Sequence, residues 1–300
     1  MALTEHAPDI RPHGAAHLLA AIGRAARSGW RAWRRLPWTV RAGALVLTAV
    51  LSVLLLTPWI APYDPATQDL THRLAAPSAG HWLGTDQLGR DVLSRLMWGG
   101  RFSVTIAAIT LVLCAVLGTL IGAFSARVGG LVDELLMRTV DLLISIPDVI
   151  VALFLIAILG TGHGTLIAAL TVVGWTPFAR LMRGLALEIN SRDFIEAAEA
   201  LGCSRTFVIV RHIIPNAIRP VTALAFLRFG HKLITVGGLS FIGLGVQPPD
   251  SDWGAMLLDA QVYMEQVPLL VIVPGLAIFL TALSVTLIGQ GVEPGEEARR

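Results

Sequence analysis

The stretch Phe102-Ser-Val-Thr-Ile-Ala-Ala-Ile-Thr-Leu-Val-Leu-Cys-Ala-Val-Leu-Gly-Thr-Leu-Ile-Gly-Ala-Phe-Ser-Ala126 decides the fold class, because it carries no charged side chain from end to end. An α-helix needs about 20 apolar residues to cross the hydrocarbon core of a bilayer, since that solvent offers no partner for an exposed backbone amide. Working outward, similar runs lie at about 41–61, from Arg138 to Leu159, at about 165–185, at about 217–244 and from Gln266 to Gly289. Six such segments predict an all-α membrane protein. Composition agrees: 54% of residues are hydrophobic and 15% charged, with mean hydropathy +0.68, whereas soluble domains carry about 25% charged residues.

The glycine-rich turn Gly160-Thr161-Gly162-His163-Gly164 separates the third and fourth segments, and Pro274 predicts a kink in the sixth. The run Ala42–Ala61 is longer than the apolar core of a secretory signal, and Thr57-Pro58-Trp59 makes a poor cleavage site. It reads as a retained first helix behind a basic tail, residues 1–40, with a loop at 62–101, a five-helix core at 102–290 and a tail at 291–300.

Orientation follows from arginine and lysine in short loops. The tail carries Arg11, Arg24, Arg27, Arg31, Arg34 and Arg35, and the stretch 180–219 carries Arg180, Arg183, Arg192, Arg205, Arg211 and Arg219. The stretch 246–266 has only acidic charges, Asp250, Asp252, Asp259 and Glu265. Both termini and the 180–219 region are therefore expected in the cytoplasm. The 62–101 loop, with Arg73, Arg90, Arg95 and Arg101, fits this rule less well.

Between the fourth and fifth segments, Asn190-Ser-Arg-Asp-Phe-Ile-Glu-Ala-Ala-Glu-Ala-Leu-Gly202 predicts a short helix. Asn190 or Ser191 can cap it, Asp193 and Glu196 suit its positive end, and Phe194, Ile195, Ala198 and Leu201 share a face. Gly202 suits the left-handed position that ends such a helix. Ser204 can cap a second helix through Ile214, with Pro215 as its stop.

Glu196-Ala197-Ala198, three residues, Gly202, nine residues and then His212-Ile213-Ile214-Pro215 resembles the E-A-A loop of ABC-importer permeases. His212 and Ile214 depart from that pattern, where Ile and Leu are usual. Three further stretches are similar to the dipeptide, oligopeptide and nickel branch: His81–Arg95, Ser145-Ile-Pro147, and Leu239–Pro249 followed by Trp253-Gly254. The likeness covers about residues 40–290 and stops at Gly289-Gln290-Gly291, where an Asp is expected. It implies the type I importer permease fold, with 186–216 as a coupling loop whose Glu196, Ala197, Ala198, Gly202 and Pro215 meet an ATPase. The implied partners are a second, homologous permease, one or two cytoplasmic ATP-binding subunits, an extracytoplasmic solute-binding protein and the lipid of a bacterial inner membrane. No nucleic acid and no cofactor is implied, and the cargo is a dipeptide or oligopeptide, with nickel or a metal chelate as the alternative.

The chain's chemistry fits a subunit that leaves ATP hydrolysis to a partner. Its only lysine, Lys232, lies in an apolar segment, so it has no Gly-x-x-x-x-Gly-Lys phosphate loop. It also lacks His-Glu-x-x-His and Gly-x-Ser-x-Gly motifs. Ser240 and His231, nine residues apart, fall on opposite faces of a helix. Cys114 and Cys203 are too few for a disulfide framework and read as packing residues. Arg228, His231 and Lys232 in the fifth segment, and Asp141 and Asp148 in the third, are costly in lipid and should face a bundle interior or a water path. Arg228, His231, Lys232 and Asp148 are candidates for a translocation path. One imidazole does not make a metal site, and His163 is the only other histidine expected near these spans on the outer side. A stand-alone channel or secondary carrier is the competing class, and no charged relay through several helices supports it.

Overall fold

The computed structural model describes residues 33–34 and 36–292. Most of the basic tail and residues 293–300 lie outside the described residues. Eleven helices follow in order: α1 Trp38–Ile60, α2 Val92–Val128, α3 Gly130–Ser145, α4 Asp148–Leu159, α5 His163–Gly174, α6 Thr176–Asn190, α7 Asp193–Ala200, α8 Arg205–Val208, α9 Ile214–Phe241, α10 Trp253–Ala260 and α11 Leu269–Val292. Among the described residues there is no named strand, only the isolated bridge Thr85–Asp91.

Among the described residues four helical stretches are long and apolar enough to cross a bilayer: α1, α2, α5 with α6, and α11. The pair α3 and α4 makes a fifth if its bend of 89° is counted within one span. Residues Arg138–Leu159 therefore do not form the single helix expected. Ile146 is extended (φ −100°, ψ 130°) before Pro147, because the proline ring disfavours helical backbone in the residue preceding it. α9, at 28 residues, is long enough to cross but carries Arg219, Arg228 and Lys232, which keep it out of the apolar group.

α2 is the organising rod. Its 37 residues rise about 55 Å, well beyond the ~30 Å hydrocarbon core. It begins ten residues before Phe102, inside the stretch read as loop, because Asp91 caps it by accepting from the Ser94 amide at 2.8 Å. Its deepest partner is α6. Gly118 and Gly122 let the two backbones close: a Cβ on Gly118 would meet Ala179 N at 2.8 Å, and one on Gly122 would meet Arg183 N at 3.0 Å. Small residues four apart are the usual means of close helix approach in lipid. α9 packs between α2 and α11, and α1 lies on α11. Phe178, Met182, Leu166, Leu170, Leu233 and Leu239 fill the core. Leu45, Leu55 and Trp59 of α1 and Val112, Val116 and Leu120 of α2 are exposed, a surface that hydrocarbon solvates at no cost.

At the N-terminal end of α2, residues 63–95 fold into a cap on α10. Asp86 accepts from Arg90 Nε at 2.7 Å and from Arg95 Nη1 at 2.5 Å, and both arginines also reach Asp259, at 3.1 and 3.0 Å. Arg95 further donates to Ser251 at 3.0 Å. Two of the arginines that fit the loop-charge rule poorly are thus buried in a carboxylate-paired cluster. Asp252 caps α10 by accepting from the Ala255 amide at 2.7 Å, and Ser240 Oγ donates to it at 2.6 Å. Burial pushes the Asp252 carboxyl above the usual range, and its hydrogen bonds with Ser240, Ala255 and Gly254 offset this only in part.

Candidate functional site

The loop 186–216 projects at the C-terminal end of α2. The helix α7 is capped by backbone geometry, not by Asn190 or Ser191. α6 runs through Asn190, Ser191 closes its end by donating Oγ to Glu188 O at 2.8 Å, and Arg192 occupies the N-cap of α7 without a side-chain bond. Asp193 and Glu196 do lie in its first turn. At the other end Gly202 has φ +82°. Its amide donates to Glu199 O at 2.9 Å while the Cys203 amide donates to Ala198 O at 3.1 Å. These two bonds are the Schellman closure expected of a left-handed glycine at that position.

The expected apolar face is split. Ile195 and Ala198 are buried against the bundle, whereas Phe194 and Leu201 are exposed, Leu201 at 85%. Phe207 and Val210 are exposed beside them, and His212 packs between Phe194 and Phe207, with ring centroids 6.0 and 5.8 Å away. Glu196 and Ala197 also face outward. Ser204 caps α8, accepting from the Phe207 amide at 3.3 Å. Pro215 does not stop the chain as expected. α8 runs through a π turn, Ile209–Ile213, into α9, and Pro215 sits in the first turn of α9. A missing N–H is tolerated in a first turn, and the widened π turn takes up the register change.

The second feature is a cavity of about 950 Å³ lined by α3, α4, α5, α6 and α9. All four candidate path residues border it: Arg228, His231, Lys232 and Asp148. Lys232 is buried, with Nζ 3.6 Å from Asp148 Oδ2 and a bond to Leu170 O at 3.4 Å. His231 Nδ1 lies 3.9 Å from the same carboxylate, with its side chain half exposed to the cavity. Gly174 makes room for the lysine, since a Cβ there would meet Nζ at 2.7 Å. Asp141, the other expected acid, pairs with Arg180. Arg228 has no carboxylate partner among the described residues, so the cavity carries an uncompensated positive charge. His163 lies apart, stacked on Phe102 with centroids 5.2 Å apart.

Sequence reasoning missed the ion pairs around the loop. Arg127, at the end of α2, pairs with Glu199 of α7. Asp133 of α3 takes two bonds of 2.6 Å from Arg183 of α6 and a third, also 2.6 Å, from Ser125 of α2.

An all-α bundle of apolar spans, with a charged cavity open on one side and a projecting two-helix loop at one end, is the build of a membrane transport subunit. The chain belongs to the family of binding-protein-dependent transport system inner membrane components, whose model matches residues 118–297. It is the permease subunit of an ATP-binding-cassette importer of the peptide and nickel group. It is 39% identical over 256 residues to the nickel transport system permease protein NikC of Escherichia coli (strain K12), covering 85% of this chain and 92% of that one. It is 35% identical over 267 residues to the glutathione transport system permease protein GsiD of Pectobacterium atrosepticum, covering 89% and 88%. A second GsiD, from Escherichia coli O6:K15:H31, is 36% identical over 264 residues, covering 88% and 87%. These relatives are transport permeases, not enzymes, and the family as a whole implies ATPase and binding-protein partners.

Proposed function

We propose that the loop 186–216 is the cytoplasmic coupling site of the importer and that the cavity is one wall of its translocation path. The observation that carries the reading is the Schellman-closed α7, held by Ile195 and Ala198 with Glu196, Ala197, Phe194 and Leu201 left facing outward. Ala197 allows close approach, Glu196 offers a polar contact, and the exposed apolar side chains supply burial to an ATPase groove. Pro215, at the start of α9, fixes the exit of the loop.

The span count is six in this reading, with α3 and α4 forming one broken span and α9 a central one whose Arg228, His231 and Lys232 face the cavity. Both termini then lie in the cytoplasm of a bacterial inner membrane and the 63–95 cap lies outside, where a solute-binding protein delivers cargo. A second, homologous permease covers the open side of the cavity, and one or two cytoplasmic subunits hydrolyse ATP. Closure of the ATPase pair moves α7, and the bundle switches between inward- and outward-facing states as a two-state element.

Dipeptides or oligopeptides are the favoured cargo. Arg228, which has no carboxylate partner among the described residues, lies beside Lys232 and suits a solute bearing a carboxylate, and the glutathione relatives transport such a peptide. Nickel or a metal chelate is the second reading, favoured by the 39% identity to a nickel permease. Affinity purification of the tagged chain from its native membrane, wild type against Gly202→Val, tests the coupling site. Recovery of a second permease with both chains, and of an ATPase with the wild type alone, is expected. Loss of the ATPase from both would remove the importer mechanism. Uptake of glutathione, a dipeptide and nickel, with and without the gene, then separates the cargo readings.

A further inference from the structure

Resting on the coupling reading above, we propose that Arg127 is a positioning residue that transmits movement of α7 into α2 through its ion pair with Glu199. α7 has two apolar anchors, Ile195 and Ala198, and among the described residues its only ion pair is Glu199 with Arg127. The Arg127 side chain is 15% exposed and its Nε is buried without an acceptor among the described residues, whereas the Glu199 side chain is 44% exposed. The pair is therefore desolvated on the arginine side, where a charge contact is stronger and more geometrically exacting than at an open surface.

Arg127 lies in the last turn of a single unbroken helix of 37 residues. At the far end of that helix, Arg95 is held by Asp86, Asp259 and Ser251. α2 is thus a rod with a charged anchor at each end, Glu199 of the loop at one and the cap on α10 at the other. One turn of α2 also holds Ser125, which donates to Asp133, itself clamped by Arg183 of α6. A push on α7 reaches the bundle through the chain into α6, through α8 and the π turn into α9, and through Glu199 and Arg127 into α2. The last of these is the one that enters an unbroken helix by a side-chain contact and runs from the loop to the outer cap.

The test uses the complete importer in proteoliposomes, with Cys114 and Cys203 replaced by Ala and a reporter cysteine in the cavity, Leu224→Cys. The readout is the change in maleimide labelling rate on adding ATP with vanadate, alongside the amount of ATPase that co-purifies. Arg127→Gln is expected to keep the ATPase bound and to lose the ATP-driven change in labelling. Arg127→Lys is expected to retain part of it, and Arg127→Glu with Glu199→Arg to recover most of it. A full ATP-driven change in Arg127→Gln would overturn the proposal, as would a swap that restores nothing. Loss of the ATPase itself from Arg127→Gln would also overturn it, making the pair part of the docking surface. Failure of the unmodified chain to bring down an ATPase would instead overturn the coupling reading.

Discussion

Gly202 offers the sharpest perturbation of the loop. Its φ of +82° is left-handed, and a Cβ built there meets nothing within 4 Å. The cost of a side chain is therefore conformational and not steric, about 1–2 kcal/mol for an ordinary L-residue. That strain competes against the two closing bonds, Gly202 N–H to Glu199 O and Cys203 N–H to Ala198 O. If it is relieved by opening the turn, the competent population falls by roughly 5–30-fold and the apparent affinity for the ATPase falls with it. Gly202→Asn, Gly202→Ala and Gly202→Val should lose ATPase binding in that order, because Asn enters the left-handed region most readily and β-branched Val least. Titration of immobilised complexes with purified ATPase gives the affinities, and the melting temperature of the free chain should stay nearly constant across the series. An order set by side-chain volume, with Ala mildest and Asn worse, would refute the argument and point to close contact with the partner. A Val variant that binds like wild type would refute it outright.

Three further outcomes follow from the same geometry. Lys232→Met leaves Asp148 with only His231 nearby and should cut transport at least about tenfold at normal expression, equivalent to about 1.4 kcal/mol; unchanged uptake would remove Lys232 from the path. Arg95→Met leaves Asp86 and the partly exposed Asp259 to share Arg90 alone and should cost about 1–3 kcal/mol, read as a lower melting temperature in detergent. A shift within error of zero would mean that Arg90 alone satisfies both acids. Asp252, raised by burial, favours the folded state most when protonated, so its contribution is full below the ordinary carboxylate pKa and is lost as pH rises through the higher folded value. Melting temperature plotted against pH should flatten in Asp252→Asn relative to wild type; parallel curves would count against the burial argument.

The fold was legible where its cause is local. The charge-free run 102–126 announced a membrane helix, and the spacing of Glu196, Gly202 and Pro215 announced the loop. Proline was read correctly as a constraint but not always as the right one. Pro215 is tolerated after a helix and in its first turn alike, and the π turn that decides between these leaves no mark in the sequence. Ser145-Ile-Pro147 marks where helix is disfavoured, but the 89° size of the break is set by packing and leaves no local mark. The cluster of Asp86, Arg90, Arg95 and Asp259, and the pair of Arg127 with Glu199, join residues far apart in the chain. Their partners are set by helix packing, so no local pattern could name them. Arg228, His231, Lys232 and Asp148 were found together because charge in an apolar segment has few affordable places to go.

If α7 docks an ATP-hydrolysing subunit, its outward face lies within reach of that subunit in the membrane. The most direct measurement is site-specific cross-linking from Ala197→Cys in a chain with Cys114 and Cys203 replaced by Ala, in inner-membrane vesicles with and without ATP. One cross-linked product containing the cytoplasmic ATPase is expected, its yield changing with ATP, and no product with the solute-binding protein. Labelling of that cysteine by an impermeant reagent from the periplasmic face of intact cells, or a cross-link to the solute-binding protein, would contradict docking by α7.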